Sequence, residues 1–432
     1  MTGINFGNSN RMKAKWLIVT GLFFMSLANL KAEQRDSVRS YSAARPSIYP
    51  FIIQDSPSQL FTIRQIDEDY LSGYRLCSGL LENKFSPAVK YAIQALSGFL
   101  FFIPATHEEA HRAILSSKNI GSSSRPFFFS ERRGYVDGVS DATLKNLRDT
   151  DFPVYSRLHS AGLESDYMLT RREETLLTFE QEKYGNLAVE YLLRKAMILQ
   201  YYLMGFFRLD VDGPEEADEQ LRDIVGNDIY GNIRHLFRPA MTFQRYTRYA
   251  DLTSEEVGYL HKMGYRSLLN LVNLNIIGIP NLRLSAETRM NIGLGHIMCP
   301  FGDYIDENIW FQYRKKLLLE TYFREFQNRG KWFLAGGAGV NDFPLTGNFI
   351  ASIHVHLWNQ PENLGFNDVT GKFGGAVEWV GRYFFLSKKE HWKNAISLDL
   401  GLIYKTAGFL PEEIDMQEHF GIRFGTSIVL DR

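Results

Sequence analysis

The chain has 432 residues, of which 45% are hydrophobic, so it can bury a sizeable core and is not a disordered protein. Its 48 Lys and Arg residues are balanced by 49 Asp and Glu residues, and this balance argues against a nucleic-acid partner. Aromatic residues make up 14% of the chain, a share that either a membrane interface or a large soluble core can accommodate.

The N-terminus has the pattern of a secretory signal peptide. Lys13 and Lys15 precede an apolar run from Trp16 to Leu27, and the small residue Ala32 offers a cleavage point. The sequence therefore predicts export, with residues 1–32 as the signal peptide. A retained N-terminal membrane anchor is the alternative, although the apolar run is short for a membrane span.

The next two segments differ in composition. Residues 33–60 are polar and contain Pro46, Pro50 and Pro57, which predicts an extended lead-in. Residues 61–280 show apolar side chains at mainly helical spacing. The apolar helices in this region all carry charges, so we expect them to be buried or to lie on a membrane surface, not to span a membrane.

From 281 to 432 the apolar period changes from helical to two, as in β-strands. From Leu282 to Leu294 apolar residues alternate with polar residues or glycine. Similar runs occupy 309–326, 332–340, 349–358, 375–386, 396–404 and 420–430. Turns and polar loops connect them, so the predicted fold class is α+β, a mainly helical N-terminal region followed by an antiparallel β-meander.

The two faces of these strands differ in an unusual way. The polar face mixes glycine with charges of both signs, whereas the apolar face carries large aromatic residues, namely Trp379, Tyr383, Phe385, Tyr404, Phe420 and Phe424. This inversion resembles the bacterial outer-membrane β-barrels, in which lipid faces apolar side chains and the interior is polar. The resemblance implies a barrel or barrel-like sheet at 281–432 with membrane lipid as a partner.

The number of runs bears on whether such a barrel can close. Seven runs are one short of the even number typical of bacterial barrels, so we expect a further strand from the N-terminal part. Ile48–Ile53 and Pro126–Phe129 are the candidates for it. An open sheet and a soluble β-sandwich are the alternatives.

The clearest chemical signal is the run His107-Glu108-Glu109-Ala110-His111. On a helix, residues four positions apart lie on one face, so both imidazoles can reach one metal ion with Glu108 beside them. The run resembles the H-E-x-x-H motif of zincin metallopeptidases. That resemblance implies His107 and His111 as Zn²⁺ ligands and Glu108 as the general base. An ordinary solvated helix face is the alternative.

A catalytic zinc needs a third protein ligand. Glu164, in the stretch 161–166, is the first choice, because a small-residue approach followed by Glu and then Asp resembles the gluzincin arrangement. In that arrangement Asp166 would orient a ligand histidine through its other ring nitrogen. His159 is the second choice of ligand, and an acidic cluster at a helix N-terminus is the structural alternative.

A weaker constellation lies in the strand region. Ser352, His354 and His356 share one face of a strand, an arrangement from which a lipid hydrolase could draw a Ser–His pair. Histidines that line the interior of the sheet are the simpler interpretation.

The function expected from the sequence is that of an exported, membrane-associated zinc-dependent hydrolase. It would be a metallopeptidase that acts on a peptide or protein substrate in the bacterial outer membrane or the periplasm. The alternative is a non-enzymatic outer-membrane β-barrel protein with a structural or transport role.

Overall fold

The computed structural model describes residues 47–57, 61–125, 134–210, 215–385 and 394–430, which fold into helices and one large sheet. The α-helices are α1 (Ile63–Lys84), α2 (Pro87–Ser97), α3 (Ile103–Ser117), α4 (Asp141–Thr150), α5 (Phe152–Thr178), α6 (Tyr184–Leu203), α7 (Asp228–Phe237) and α8 (Ser254–Ser267). A π-helical turn, Gly98–Phe102, joins α2 to α3.

The strands are mostly long. They are β1 (Ser47–Ser56), β2 (Ser123–Arg125), β3 (Tyr135–Asp137), β4 (Leu282–Arg283), β5 (Thr288–Cys299), β6 (Gly302–Tyr313), β7 (Leu317–Gln327), β8 (Trp332–Thr346), β9 (Phe349–Pro361), β10 (Gly371–Phe384), β11 (Ala395–Lys405) and β12 (His419–Leu430). The predicted signal peptide and the candidate strand Pro126–Phe129 lie outside the described residues.

The large sheet confirms the predicted α+β class and the antiparallel meander. Its ten strands follow the order β1-β12-β11-β10-β9-β8-β7-β6-β5-β4, and β1 pairs antiparallel with β12 at the far edge. The extra strand expected near Ile48–Ile53 is therefore present as β1. The segment 33–60, expected to be an extended lead-in, contributes this strand to the sheet.

The sheet is open, and the expectation of a closed barrel is not met in the described part of the chain. The outer strands are β1 on one side and the two-residue β4, next to β5, on the other. We call the gap between β1 and β5 the seam. Helical segments line both sides of the seam and pair some of the backbone groups that closure would pair.

Two of the predicted strand runs each contain a turn. In the run that begins at Leu282, Ser285 Oγ accepts hydrogen bonds from the backbone N–H groups of Glu287 and Thr288, and a turn separates β4 from β5. The run 309–326 contains the β6–β7 hairpin, which turns at Arg314 and Lys315 with φ of 50° and 54°. Each run contains two strands.

Helix α5 lies along the concave side of the sheet and joins the two regions into one body. Its 27 residues span about 40 Å, comparable to the length of the strands. Arg157 NH1 donates to the carbonyl of Glu413 near one end, and Trp310 Nε1 donates to Thr175 Oγ1 near the other. One hydrophobic cluster contains residues of both regions, so residues 61–280 and 281–432 share a core.

By length and composition, one described helical run, Pro87–Ser117, is apolar enough to cross a membrane, and little of its most apolar stretch is buried. The run consists of α2, the π-helical turn and α3. Its last part, α3, packs against α5 and buries both histidines of the predicted motif. The run is therefore exposed in α2 and the π-helical turn and becomes part of the core in α3.

The concave side of the sheet depends on buried ion pairs. Asp306 accepts two hydrogen bonds from Arg324, at 2.6 and 2.8 Å, and one from the Tyr167 hydroxyl of α5 at 2.8 Å. Arg324 is 2% exposed. The substitution Asp306→Ala would leave the charge of Arg324 without this partner, and we expect the free energy of unfolding to fall by about 3–5 kcal/mol.

Denaturant titration followed by circular dichroism measures this change. The control is Glu287→Ala, which removes an exposed carboxylate paired with the exposed Arg314 and should leave the unfolding curve unchanged. Equal curves for the two variants would show that α5 and the sheet do not depend on the Asp306 pair.

Candidate metal centre

The predicted motif lies on α3, whose first turn contains Pro104. Pro104 comes directly after the π-helical turn, so the helical hydrogen-bond pattern is already irregular where its N–H is missing. The spacing of four places His107 and His111 on one face, and this face packs against α5 with the two residues 3% and 1% exposed. The opposing residue of α5 is Gly162, where a Cβ atom would overlap the His107 imidazole.

Two carboxylates hold the His107 ring. Its Nδ1 lies 2.8 Å from Asp166 Oδ2 and its Nε2 lies 2.9 Å from Asp228 Oδ2. Burial lowers the pKa of His107, but Asp166 and Asp228 together outweigh it and hold the pKa well above its usual value. Nε2 therefore carries a proton that a metal ion can replace.

His111 presents the same ring nitrogen to the same carboxylate. Its Nδ1–H donates to the carbonyl of Leu158 at 2.6 Å, so Nε2 carries the lone pair in the neutral ring. That Nε2 lies 3.7 Å from Asp228 Oδ1. Burial lowers the pKa of His111, which favours the neutral ring that a metal requires.

His107, His111 and Asp228 form the one group of three or more metal-ligating side chains found in the described residues. Their ligand atoms all lie within 4.8 Å of one another. Two ligand atoms on a tetrahedral Zn²⁺ are about 3.3 Å apart; His107 Nε2 lies 2.9 Å from Asp228 Oδ2, and His111 Nε2 lies 3.7 Å from Asp228 Oδ1. Two imidazoles and a carboxylate can thus hold a metal ion and leave a coordination position open.

Glu108 stands beside this group. It is half-buried, whereas the three ligating residues are buried, so the side of the centre that reaches the surface is the side of Glu108. Burial raises the pKa of Glu108 to about 8 against the opposing effect of His107, and the carboxylates of Asp228 and Asp166 add to the rise. A carboxyl group in this position can exchange a proton near neutral pH.

The carboxylate that orients His107 is itself fixed. Arg194 NH1 donates to Asp166 Oδ1 at 2.5 Å and to Thr106 Oγ1 at 3.0 Å. Tyr201 stacks on the other side of the His107 ring, with ring centroids 5.0 Å apart. The contact between Asp166 and His107 Nδ1 is the one expected of a residue that orients a ligand histidine.

Glu164 does not join the centre, and Asp228 takes the position predicted for it. Both Glu164 carboxylate oxygens accept hydrogen bonds from Arg157, at 2.7 and 3.0 Å, and one also accepts from the backbone N–H of Glu412. Residues two positions apart on a helix point about 200° apart. Glu164 therefore faces the sheet side of α5 while Asp166 faces α3.

His159, the second choice of ligand, lies close to the centre but outside the ligand group. Its ring packs against Tyr155 and His235, with centroids 5.1 and 5.5 Å away. Neither ring nitrogen has a hydrogen-bond partner among the described residues. Burial holds the pKa of His159 well below its usual value, so the ring is neutral.

Sequence reasoning missed Asp228, which comes 121 positions after His107. It is the first residue of α7, after Asn227, whose side chain caps the helix by accepting from the Tyr230 N–H. An Asp after an N-cap is a common helix start, so this local pattern carries no metal signal.

The weaker constellation in the strand region does not form a Ser–His pair. Ser352 Oγ accepts a hydrogen bond from the Asp342 backbone N–H, His354 lies 2.9 Å from Glu320, and His356 Nδ1 lies 2.9 Å from the Tyr322 hydroxyl. These side chains line an interior cavity of about 240 Å³.

The close approach of α3 to α5 gives a test of the site. The substitution Gly162→Ala should displace the His107 imidazole and weaken Zn²⁺ binding by about 10- to 100-fold, as does the loss of other groups that orient metal ligands. Zinc titration against a chromogenic chelator measures the affinity. Gly258→Ala is the matched control, because its Cβ would meet nothing within 4 Å. An unchanged affinity in Gly162→Ala would remove His107 from the ligand set.

Comparison with protein-family models, with curated proteins and with solved structures finds no match for this chain.

Proposed function

We propose that this protein is an exported, membrane-associated metal-dependent hydrolase, and that the bond it cleaves is a peptide bond. One observation carries the proposal. His107, His111 and Asp228 converge with their ligand atoms close enough to share an ion, and Glu108 stands next to them. The donor set of two imidazoles and one carboxylate is typical of catalytic zinc.

The residues have distinct roles in this proposal. Bound Zn²⁺ would supply Lewis acidity and lower the pKa of a water molecule. Glu108 accepts a proton from the water whose oxygen attacks the carbonyl carbon, and it gives that proton to the amine when the C–N bond breaks. Asp166 and the Leu158 carbonyl each bind Nδ1 of one histidine, so Nε2 of both would be directed at a bound ion.

The convex face of the sheet supports the membrane part of the proposal. Leu357 and Leu398 point outward and are 66% and 64% exposed, whereas Ser397 and Lys405 point inward and are 0% exposed. A soluble protein buries the first kind of side chain and exposes the second. In a membrane the pattern is reversed, because lipid surrounds the outer face.

The outer face also has the dimensions of a bilayer. On β10, Phe373 and Tyr383 are 83% and 50% exposed and stand ten positions apart, about 33 Å along the strand. At the strand tilt usual in membranes this corresponds to a height of about 25 Å, the height of the apolar band of outer-membrane proteins. Trp332 and Phe343 occupy similar places at the two ends of β8. Aromatic residues at both ends of the strands are typical of membrane interfaces.

A non-enzymatic outer-membrane protein is the second candidate, and the same convex face favours it. Helix α5 lies within the curve of the sheet, which suits a structural role better than transport through an open channel. In this case the two histidines would serve packing alone. The substitutions His107→Ala and His111→Ala would then leave the function of the protein intact.

The general-base role is tested by Glu108→Gln. We expect hydrolysis of a fluorogenic peptide library to fall by about 10²- to 10⁴-fold, because the amide cannot accept the proton, while the zinc content stays at the wild-type level. Peptide cleavage and metal analysis on the same purified sample give both quantities.

Glu109→Gln is the matched control. Glu109 is the adjacent acid in the motif, but it faces Arg112, with its two oxygens 2.7 and 2.9 Å from Arg112 NH1. This variant should keep wild-type turnover. A wild-type protein that binds no metal, or a Glu108→Gln variant with unchanged turnover, would contradict the proposed hydrolase.

A further inference from the structure

The seam poses a physical problem for a sheet in lipid, because each unpaired backbone group there costs several kcal/mol. Along β1 the residues of α1 solve it. The backbone N–H of Ile52 donates to Asp69 Oδ1 at 2.7 Å, and the Ile52 carbonyl accepts from Gln65 Nε2 at 3.0 Å. Arg75 NH1 donates to the Ile48 carbonyl at 3.0 Å. Side chains of a helix thus take the place of a neighbouring strand.

The other side of the seam is covered by the segment 268–281. The backbone N–H of Leu294 in β5 donates to the Val272 carbonyl at 2.8 Å. The side-chain amide of Asn270 bonds to both backbone groups of His296, at 2.8 and 3.1 Å. Parts of the helical region therefore pair backbone groups on both edges of the sheet.

Helix α2, which follows α1 at the seam, has its polar and apolar faces reversed relative to a helix on a soluble protein. Its apolar residues Val89, Ile93 and Leu96 are 44%, 37% and 63% exposed. Its polar residues Lys90 and Gln94 are 4% and 2% exposed. In water this orientation would leave apolar side chains exposed without any stabilisation from their burial, whereas in lipid it is favourable.

The polar residues of α2 are satisfied by the protein interior. Lys90 Nζ donates to Asn186 Oδ1 of α6 at 2.5 Å, and Gln94 Nε2 donates to Ser78 Oγ of α1 at 2.7 Å. These contacts fix the rotation of α2 about its axis. The apolar face is thus turned outward by specific bonds on the opposite face.

Apolar exposure continues on both sides of the seam. Beside α2 it includes Leu80, Phe85, Phe99, Phe101 and Phe102, each between 40% and 61% exposed. Beside β5 it includes Leu268, Val272, Ile277, Ile279, Leu282 and Leu284, each between 39% and 57% exposed. Exposed apolar surface of this extent on a soluble monomer would be an aggregation hazard.

We propose that α2, its π-helical turn and the segment 268–284 face the acyl chains of a lipid bilayer, and complete across the seam the apolar belt of the sheet. This inference rests on the proposed membrane association of the sheet. The occupant is lipid, because the reversed faces of α2 repeat the reversal seen on the strands, and the exposed apolar residues of 268–284 lie beside β5, an edge of the same sheet. The protein is then enclosed by lipid without closure of the sheet by hydrogen bonds.

Lipid contact of α2 and the π-helical turn also determines what lies near the metal centre. Helix α3 continues directly from the π-helical turn, so five positions separate Phe102 from His107. Five helix positions correspond to about 7.5 Å along the axis, so the centre lies within about one and a half turns of the proposed lipid belt.

Site-directed fluorescence tests the lipid contact of α2. The exposed Cys77 is replaced by Ser, Cys299 is buried, and a single new cysteine carries an environment-sensitive NBD dye. Leu96→Cys reports on α2, Leu398→Cys on the sheet, and Asn146→Cys on the exposed surface of α4. The proteins are placed in vesicles of phosphatidylcholine with and without doxyl-labelled lipid.

We expect doxyl lipid to reduce NBD emission at position 96 as much as at position 398, and to leave position 146 unchanged. Quenching at 398 without quenching at 96 would overturn the seam proposal and keep the membrane association of the sheet. Absence of quenching at both positions would overturn both. Protection of position 96 together with dimer formation would assign the surface to a second copy of the chain and reject lipid.

Discussion

The need to pair buried charges on α5 determines much of this structure. The helix is buried along most of its length and carries charged residues on more than one face, and a charge without a partner in a protein interior costs several kcal/mol. On the sheet side, Arg157 bonds to Glu164 and to the carbonyls of the 406–418 loop. On the opposite side, Asp166 bonds to His107 and Arg194. One helix therefore positions both the sheet and the candidate metal centre.

Alternation in the sequence predicted the antiparallel meander and its polar and apolar faces, because side-chain direction in a strand follows directly from period two. It could not place the turns within the runs 282–294 and 309–326. The β6–β7 turn uses Arg314 and Lys315 at positive φ, where glycine or asparagine would have marked it. Periodicity could not predict whether the sheet closes into a barrel either, because the partners of the β1 and β5 edges are side chains and loops far away in the sequence.

Part of the candidate site was predictable as well, because side-chain direction on a helix follows from the spacing of the residues. Helical spacing alone brings His107 and His111 together, and it also determines which acid on α5 can reach them. Gly162 and Asp166 are four positions apart and share the face toward α3, so Glu164 between them had to point elsewhere. Asp228 follows from no local pattern, because its approach depends on how α7 packs in the folded chain.

The contacts of His107 have a consequence for how the centre could be assembled. With Asp166 on one ring nitrogen and Asp228 on the other, the imidazole is held in its working orientation by ionic hydrogen bonds of the chain itself. Metal uptake then exchanges a proton for an ion and does not have to order a loop. The chain could thus fold first and acquire a metal ion afterwards.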